Sequence, residues 1–187
     1  MIKIAVKILS GTKIHKIAGA DLHEMIINFI SIQKGSCFYL GSSNDTLKKI
    51  TEKLAKEHPD VKIGSFNPPF KVIFSKEDNL KMINAVNEFN PDVLFVGMTA
   101  PKQEKWVHEN RYMINAPVIC SIGAVFDFYA GTVKRPGKFW ISIGLEWLPR
   151  LIREPRRLWR RTLISTPLFI WYVIREKIRI ITKGIKS

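Results

Sequence analysis

Between about residues 20 and 123, short apolar runs alternate with stretches whose apolar positions recur every three or four residues. That rhythm predicts βα units around a parallel sheet, an α/β fold. "CFYLG" (37–41) predicts a buried strand ending in glycine. "NDTLKKITEKLAKEHP" follows it, with Leu47, Ile50 and Leu54 at helical spacing and Pro59 just past the stop. "VKIGSFNPPF" predicts a strand running into a Pro-Pro loop, and "KEDNLKMINAVNEFNP" a second amphipathic helix closed by Pro91. "DVLFVGM" and "APVICSIG" are short β-branched runs of the kind buried on both faces. Upstream, "DLHEMIINFISIQK" predicts a helix, with Asp21 and Glu24 spaced as a capping box. The residues before it show no obvious strand.

After Gly123 the rhythm stops and the composition shifts. Trp140, Trp147, Trp159 and Trp171 fall here, with arginines between them. The break predicts an α/β core over residues 1–136 and an Arg/Trp-rich helical appendage over 137–187. The most apolar piece, "LISTPLFIWYVI" (163–174), contains Pro167 and is shorter than the roughly 20 residues a membrane-spanning helix needs. It predicts an interfacial or packed segment.

Charge sharpens this division. The formal net charge is +14, and residues 134–187, with 14 basic and 3 acidic side chains, carry +11 of it. Arg150, Arg153, Arg156, Arg157, Arg160 and Arg161 recur at three- and four-residue steps, so several share one helix face bordered by tryptophan. Guanidinium forks match phosphate oxygens and tryptophan prefers a membrane interface, which favours a phosphate or anionic-lipid partner over nucleic acid. A solvated basic face is the plain alternative. The length of 187 residues suits one domain with an appendage. Cys37 and Cys120 each sit inside an apolar run and read as buried thiols of a reducing compartment, and no signal-peptide pattern opens the sequence.

In an open α/β sheet, ligands bind beyond the carboxyl ends of the strands. "GSSND" (41–45), "NPPF" (67–70), "GMTAPKQE" (97–104) and "GAVFDFYAGTVKRP" (123–136) all fall at such ends, so four polar stretches converge on one rim. Pro101 suits the first helical position with Thr99 or Ala100 as cap. Gln103 would then sit on an exposed first turn beside free backbone amides, to meet a phosphate or sugar hydroxyl or simply to be solvated. Asp127, between Phe126 and Phe128, could accept hydrogen bonds from a base edge or a hydroxyl, or cap the next turn. The sequence has no Asp-x-Asp pair, no Gly-x-Ser-x-Gly elbow and no histidine metal spacing, so neither a metal nor a cofactor is called for.

"VGMTAPKQEKW", "SIGAVFDFYAGTVKRP" and "GLEWLPRLIREPRRLWRR", in this order and spacing, closely resemble the WecG/TagA/CpsF family of bacterial glycosyltransferases, and "FYLGSSND" and "GSFNPPF" look like its earlier strand-end motifs. The resemblance runs from about Leu9 to Arg161. It implies a Rossmann-like core and a membrane-associating appendage. It also implies inverting, metal-independent transfer of an N-acetylmannosamine-type sugar from a UDP donor to a polyprenyl-diphosphate-linked sugar. That is an early step in teichoic acid or exopolysaccharide assembly, on the inner face of the plasma membrane, and self-association is compatible with it.

Carried over by motif, Gln103 belongs to the active-site rim, Asp127 to the uracil end of the donor pocket, and Arg150, Arg157 and Arg160 to the diphosphate. The strand-end residues Gly41, Phe66, Gly97, Thr99 and Lys102 complete the substrate-binding set. Lys16 stands where the family often has arginine. The family's Asp-Gly motif, whose aspartate is the proposed general base, has no counterpart in the sequence. A non-catalytic binder of UDP-sugar or lipid diphosphate is therefore the alternative reading.

Overall fold

The computed structural model describes residues 2–15, 17–133 and 165–184. The chain divides into two compact units: one, Ile17–Lys134, holds the sheet, and the other draws on both chain ends, Met1–Lys16 and Arg135–Ser187.

In the sheet unit four strands, β1 (Ser36–Gly41), β2 (Lys62–Phe66), β3 (Val93–Gly97) and β4 (Val118–Ser121), pair in the order β2-β1-β3-β4. Every pairing is parallel, as the alternation of apolar runs and helices predicts. The order reverses between β1 and β3, so their carboxyl ends frame the switch-point crevice where open α/β sheets take ligands.

Successive side chains of a strand face opposite sides, which divides the core in two. Tyr39 and Phe95 pack with Ile27, Ile50 and Leu54 on one face. Leu40, Leu94 and Val96 pack with Met82, Val86 and Trp106 on the other. The first face is covered by helices α2 (Gly19–Ile32) and α3 (Asn44–Glu57), the second by α4 (Lys76–Phe89) and α5 (Lys102–Asn110). A short helix, α6 (Gly123–Tyr129), follows β4 and sends Phe126 into the first core.

Local chemistry sets the helix limits. Ser43 caps α3 by accepting from the Thr46 N–H. Ser75 and Asp78 form a reciprocal box at the start of α4: the Asp78 N–H donates to Ser75 Oγ at 3.1 Å, and the Ser75 N–H donates to Asp78 Oδ2 at 2.9 Å. Asn90 ends α4 in the left-handed region, φ 53°, ahead of buried Pro91.

Three details differ from the sequence reading. β4 is an edge strand on which Val118 is 44% exposed, not a run buried on both faces. Asp21 is not the cap of α2; it lies one turn in and accepts from the N–H of Ala18, the residue in the cap position. Pro101 is itself the N-cap of α5, one residue before the position expected for it.

In the other unit, α1 (Ile2–Ser10) packs along α7 (Ser165–Gly184), with Ala5 and Val173 buried. α7 begins inside the apolar stretch that contains Pro167 and continues through Arg175, Glu176, Lys177 and Arg179. Among the described residues no helix is long and apolar enough to cross a membrane.

Candidate active site

Gly41 and Gly97 are the last register pair of β1 and β3. Gly41 has φ 121°, and a β-carbon on it would lie 2.4 Å from the Gly97 carbonyl oxygen. Only glycine satisfies both demands. A β-carbon on Gly97 would in turn lie 2.4 Å from the ring of Phe126. The two glycines thus act by omission: they let β1, β3 and α6 close on one another at the switch point.

The next contact is built the same way. A β-carbon on Gly123, the first residue of α6, would lie 2.5 Å from both Gln103 Oε1 and the Met98 carbonyl oxygen. In the sequence Gly123 marks only the end of the βα rhythm and is not among the candidate site residues, although a glycine directly after an apolar run was the available signal. Its missing side chain brings the start of α6 against the start of α5.

Gln103 is 5% exposed, so this first turn is not the open one the sequence suggested. Its Nε2 donates to Glu104 Oε1 at 2.9 Å, and its Oε1 has no hydrogen-bond partner among the described residues. A buried, unmatched amide oxygen costs on the order of 1–3 kcal/mol, so this atom calls for a donor. Among the described residues no side chain caps the first-turn N–H groups of α5, although the Lys102 N–H donates to the Thr99 carbonyl at 2.8 Å. An acceptor oxygen beside helix-start donors suits a ligand that carries both hydroxyl and phosphate groups.

Lys102, the first residue of α5, turns toward the loop after β2. Its ammonium donates to the Lys71 carbonyl and lies 3.5 Å over the ring of Phe74; partial burial lowers its pKa. Lys71 bonds Asp78 at 2.8 Å, and that bond, with the Ser75 N–H, holds the carboxyl at about 2. Phe66, at the end of β2, packs against the second core.

Asp127 stands on α6, which several bonds fix from below. Tyr129 donates to Glu57 Oε2 at 2.8 Å, and Lys53 donates to the Tyr129 carbonyl while lying 4.4 Å over its ring. His23 packs 4.8 Å from the Tyr129 ring, with its Nε2 2.7 Å from the Tyr39 hydroxyl. Burial, with Lys53 and His58 adding to it, lowers the His23 pKa to about 4, so the imidazole is neutral near pH 7.

The structure therefore brings Gly41, Gly97, Thr99 and Gln103 together around the β1/β3 crevice, turns the Lys102 ammonium toward the loop after β2, and places Phe66 and Asp127 on the elements beside the crevice. Lys16, Arg150, Arg157 and Arg160 lie outside the described residues.

A family model described as "Glycosyl transferase WecG/TagA/CpsF family" matches residues 1–183. Among curated proteins the chain is similar to the N-acetylglucosaminyldiphosphoundecaprenol N-acetyl-beta-D-mannosaminyltransferase of Bacillus subtilis (strain 168), 30% identical over 162 residues, which are 87% of this chain and 60% of that protein. The proteins of the same name from Bacillus spizizenii, 27% identical over 87% of the chain and 60% of the relative, and from Staphylococcus aureus (strain MW2), 27% identical over 89% and 63%, are also similar. The chain spans between 60% and 63% of the length of these relatives.

Proposed function

We propose, from the premise that this chain belongs to the WecG/TagA/CpsF family of glycosyl transferases, that it moves an N-acetylmannosamine-type sugar from a UDP donor to a polyprenyl-diphosphate-linked sugar. The sugar and the acceptor class are those in the relatives' names. The observation that carries the proposal is the buried Gln103 Oε1, without a partner among the described residues, at a helix start, beside the switch-point crevice, whose N-cap, Pro101, offers no side-chain hydrogen bond. A hydroxyl of the donor or acceptor sugar supplies its missing hydrogen bond.

The reaction is a single displacement. The acceptor hydroxyl attacks the anomeric carbon, the bond to the UDP oxygen breaks with inversion, and the hydroxyl proton passes to a base. General-base help is worth ~10²–10⁴-fold, and no residue of this sequence is assigned to it. Arg150, Arg157 and Arg160 neutralise the departing diphosphate, the role a divalent metal would otherwise take. Asp127 accepts from the uracil edge. The Arg/Trp-rich segment holds the protein on the anionic inner face of the plasma membrane, within reach of the lipid-linked acceptor.

The test is to read the source DNA upstream of Met1 and to assay the longest in-frame product with UDP-N-acetylmannosamine and a short-chain lipid-diphosphate N-acetylglucosamine acceptor. Turnover without added metal supports the proposal. UDP binding without turnover, in a product that includes an Asp-Gly motif, refutes the reaction and leaves a binding module. Absence of UDP binding refutes both.

A further inference from the structure

The loop after β2 shows an unusual distribution of apolar side chains. Phe70 is 109% exposed, Val72 90% and Ile73 83%, while Phe74 turns inward against the second core. Single exposed apolar residues are ordinary, but three within four positions, each nearly as open as in a free peptide, are not.

Slackness does not explain the exposure. Pro68 and Pro69 fix their own φ. The Lys71 N–H donates to the Pro69 carbonyl at 2.9 Å, and its ammonium bonds Asp78 on α4. Lys102 of α5 holds the Lys71 carbonyl and covers Phe74. The loop is pinned at its root and presents its tip outward.

Charge identifies what the tip meets. Asp78 is neutralised by Lys71 and Glu77 by Lys81. Lys76 and Lys102 form no ion pair among the described residues; with Glu104, beside Lys102 on the same first turn, counted against them, the root of the loop keeps one net positive charge. An apolar tip over a cationic collar is the pattern that enters the headgroup and acyl boundary of an anionic bilayer.

We propose that the Phe70–Ile73 tip is a second membrane contact, on the sheet unit itself, that inserts into the interface of an anionic bilayer at the rim of the active site. The inference rests on the reading of this site as one that serves a lipid-linked acceptor. Through Lys102 the loop is tied to the helix start that carries Gln103, so insertion would set that first turn at the depth of the acceptor's diphosphate.

The experiment uses the whole chain. In a Cys120→Ser background, Val72→Cys is labelled with the environment-sensitive fluorophore NBD and titrated with vesicles of phosphatidylglycerol, or of phosphatidylcholine alone. The expected result is a blue-shifted, enhanced emission with phosphatidylglycerol, quenched by spin labels carried at shallow depth. In the unlabelled protein, Phe70→Ser/Val72→Ser/Ile73→Ser should lower the vesicle partition coefficient at least tenfold, with an unchanged thermal unfolding curve.

An unchanged signal while the chain co-sediments with vesicles would overturn the proposal. So would a blue shift before lipid is added: a concentration-dependent one would mean a second copy covers the tip, and an independent one that the chain covers it itself. UDP binding, measured in parallel by calorimetry, separates the two levels. Its absence with an inserting loop would remove the functional reading, and its presence with a silent loop would remove only the membrane contact.

Discussion

Alanine at Gly41 should damage the fold more than its single added methyl suggests. The backbone there has φ 121°, beyond the small left-handed well that side chains tolerate, and strain of that kind costs on the order of 1–3 kcal/mol. The new β-carbon would also lie 2.4 Å from the Gly97 carbonyl oxygen, which is backbone and cannot rotate away. β1 and β3 would have to part at their last register pair, an overpacking cost of about 1–3 kcal/mol. The expected loss is therefore ~2–6 kcal/mol. Gly131→Ala supplies the control: its φ is 72° and a β-carbon there meets nothing within 4 Å, so the conformational part, ~1–2 kcal/mol, stands alone. Urea unfolding of both variants, followed by far-ultraviolet circular dichroism with slopes compared, separates the two. If Gly41→Ala costs no more than Gly131→Ala, the close approach of the strand ends is not what demands glycine, and the account of the crevice fails.

Gln103→Leu should lower sugar transfer at least tenfold while raising stability by up to ~1 kcal/mol, because it removes an unmatched buried oxygen; a parallel fall in both would mark Gln103 as a packing residue. Asp127→Ala should weaken UDP binding about tenfold by calorimetry, and an unchanged affinity removes it from the donor pocket. Arg157→Ala with Arg160→Ala should impair use of the lipid-linked acceptor far more than UDP binding, and equal losses would contradict the assignment of these arginines. The His23 pKa is depressed in the fold, so the folded state binds fewer protons than the unfolded one. Stability is therefore full above about pH 6.5 and should fall by up to ~3 kcal/mol as pH drops from there toward 4. His23→Phe should flatten the profile in that window, and an unflattened one would mean that other groups set the slope.

The strands and the helices that cover them were legible because burial leaves a period in the sequence. Leu47, Ile50 and Leu54 announce a helix face, and Val93 to Gly97 a strand without a polar side. That same short apolar run reads alike in the centre and at the edge of a sheet, which is why the exposure of Val118 was hidden. α1 was not legible: its place depends on α7, about 160 positions away in the chain, and local pattern carries no such partner. At the site, motif spacing selected Gly41, Gly97 and Gln103. What glycine accomplishes there, and that Gln103 is enclosed, depends on Phe126 and Gly123 arriving from a later element. Three-dimensional closeness of that kind has no one-dimensional signature.

Cys37 lies wholly buried in β1, four residues before Gly41, and burial pushes its thiol up to about 12. Within the closed fold it is both out of reach and protonated, so an alkylating reagent meets it only when β1 comes away from its neighbours. With a slow reagent, the observed rate is the rate for an open thiol multiplied by the fraction of time the strand is open. The logarithm of that ratio is a free energy, obtained in plain buffer without denaturant. The protein thus carries an internal clock on the strand that frames its crevice, and ligands that close the crevice should slow it.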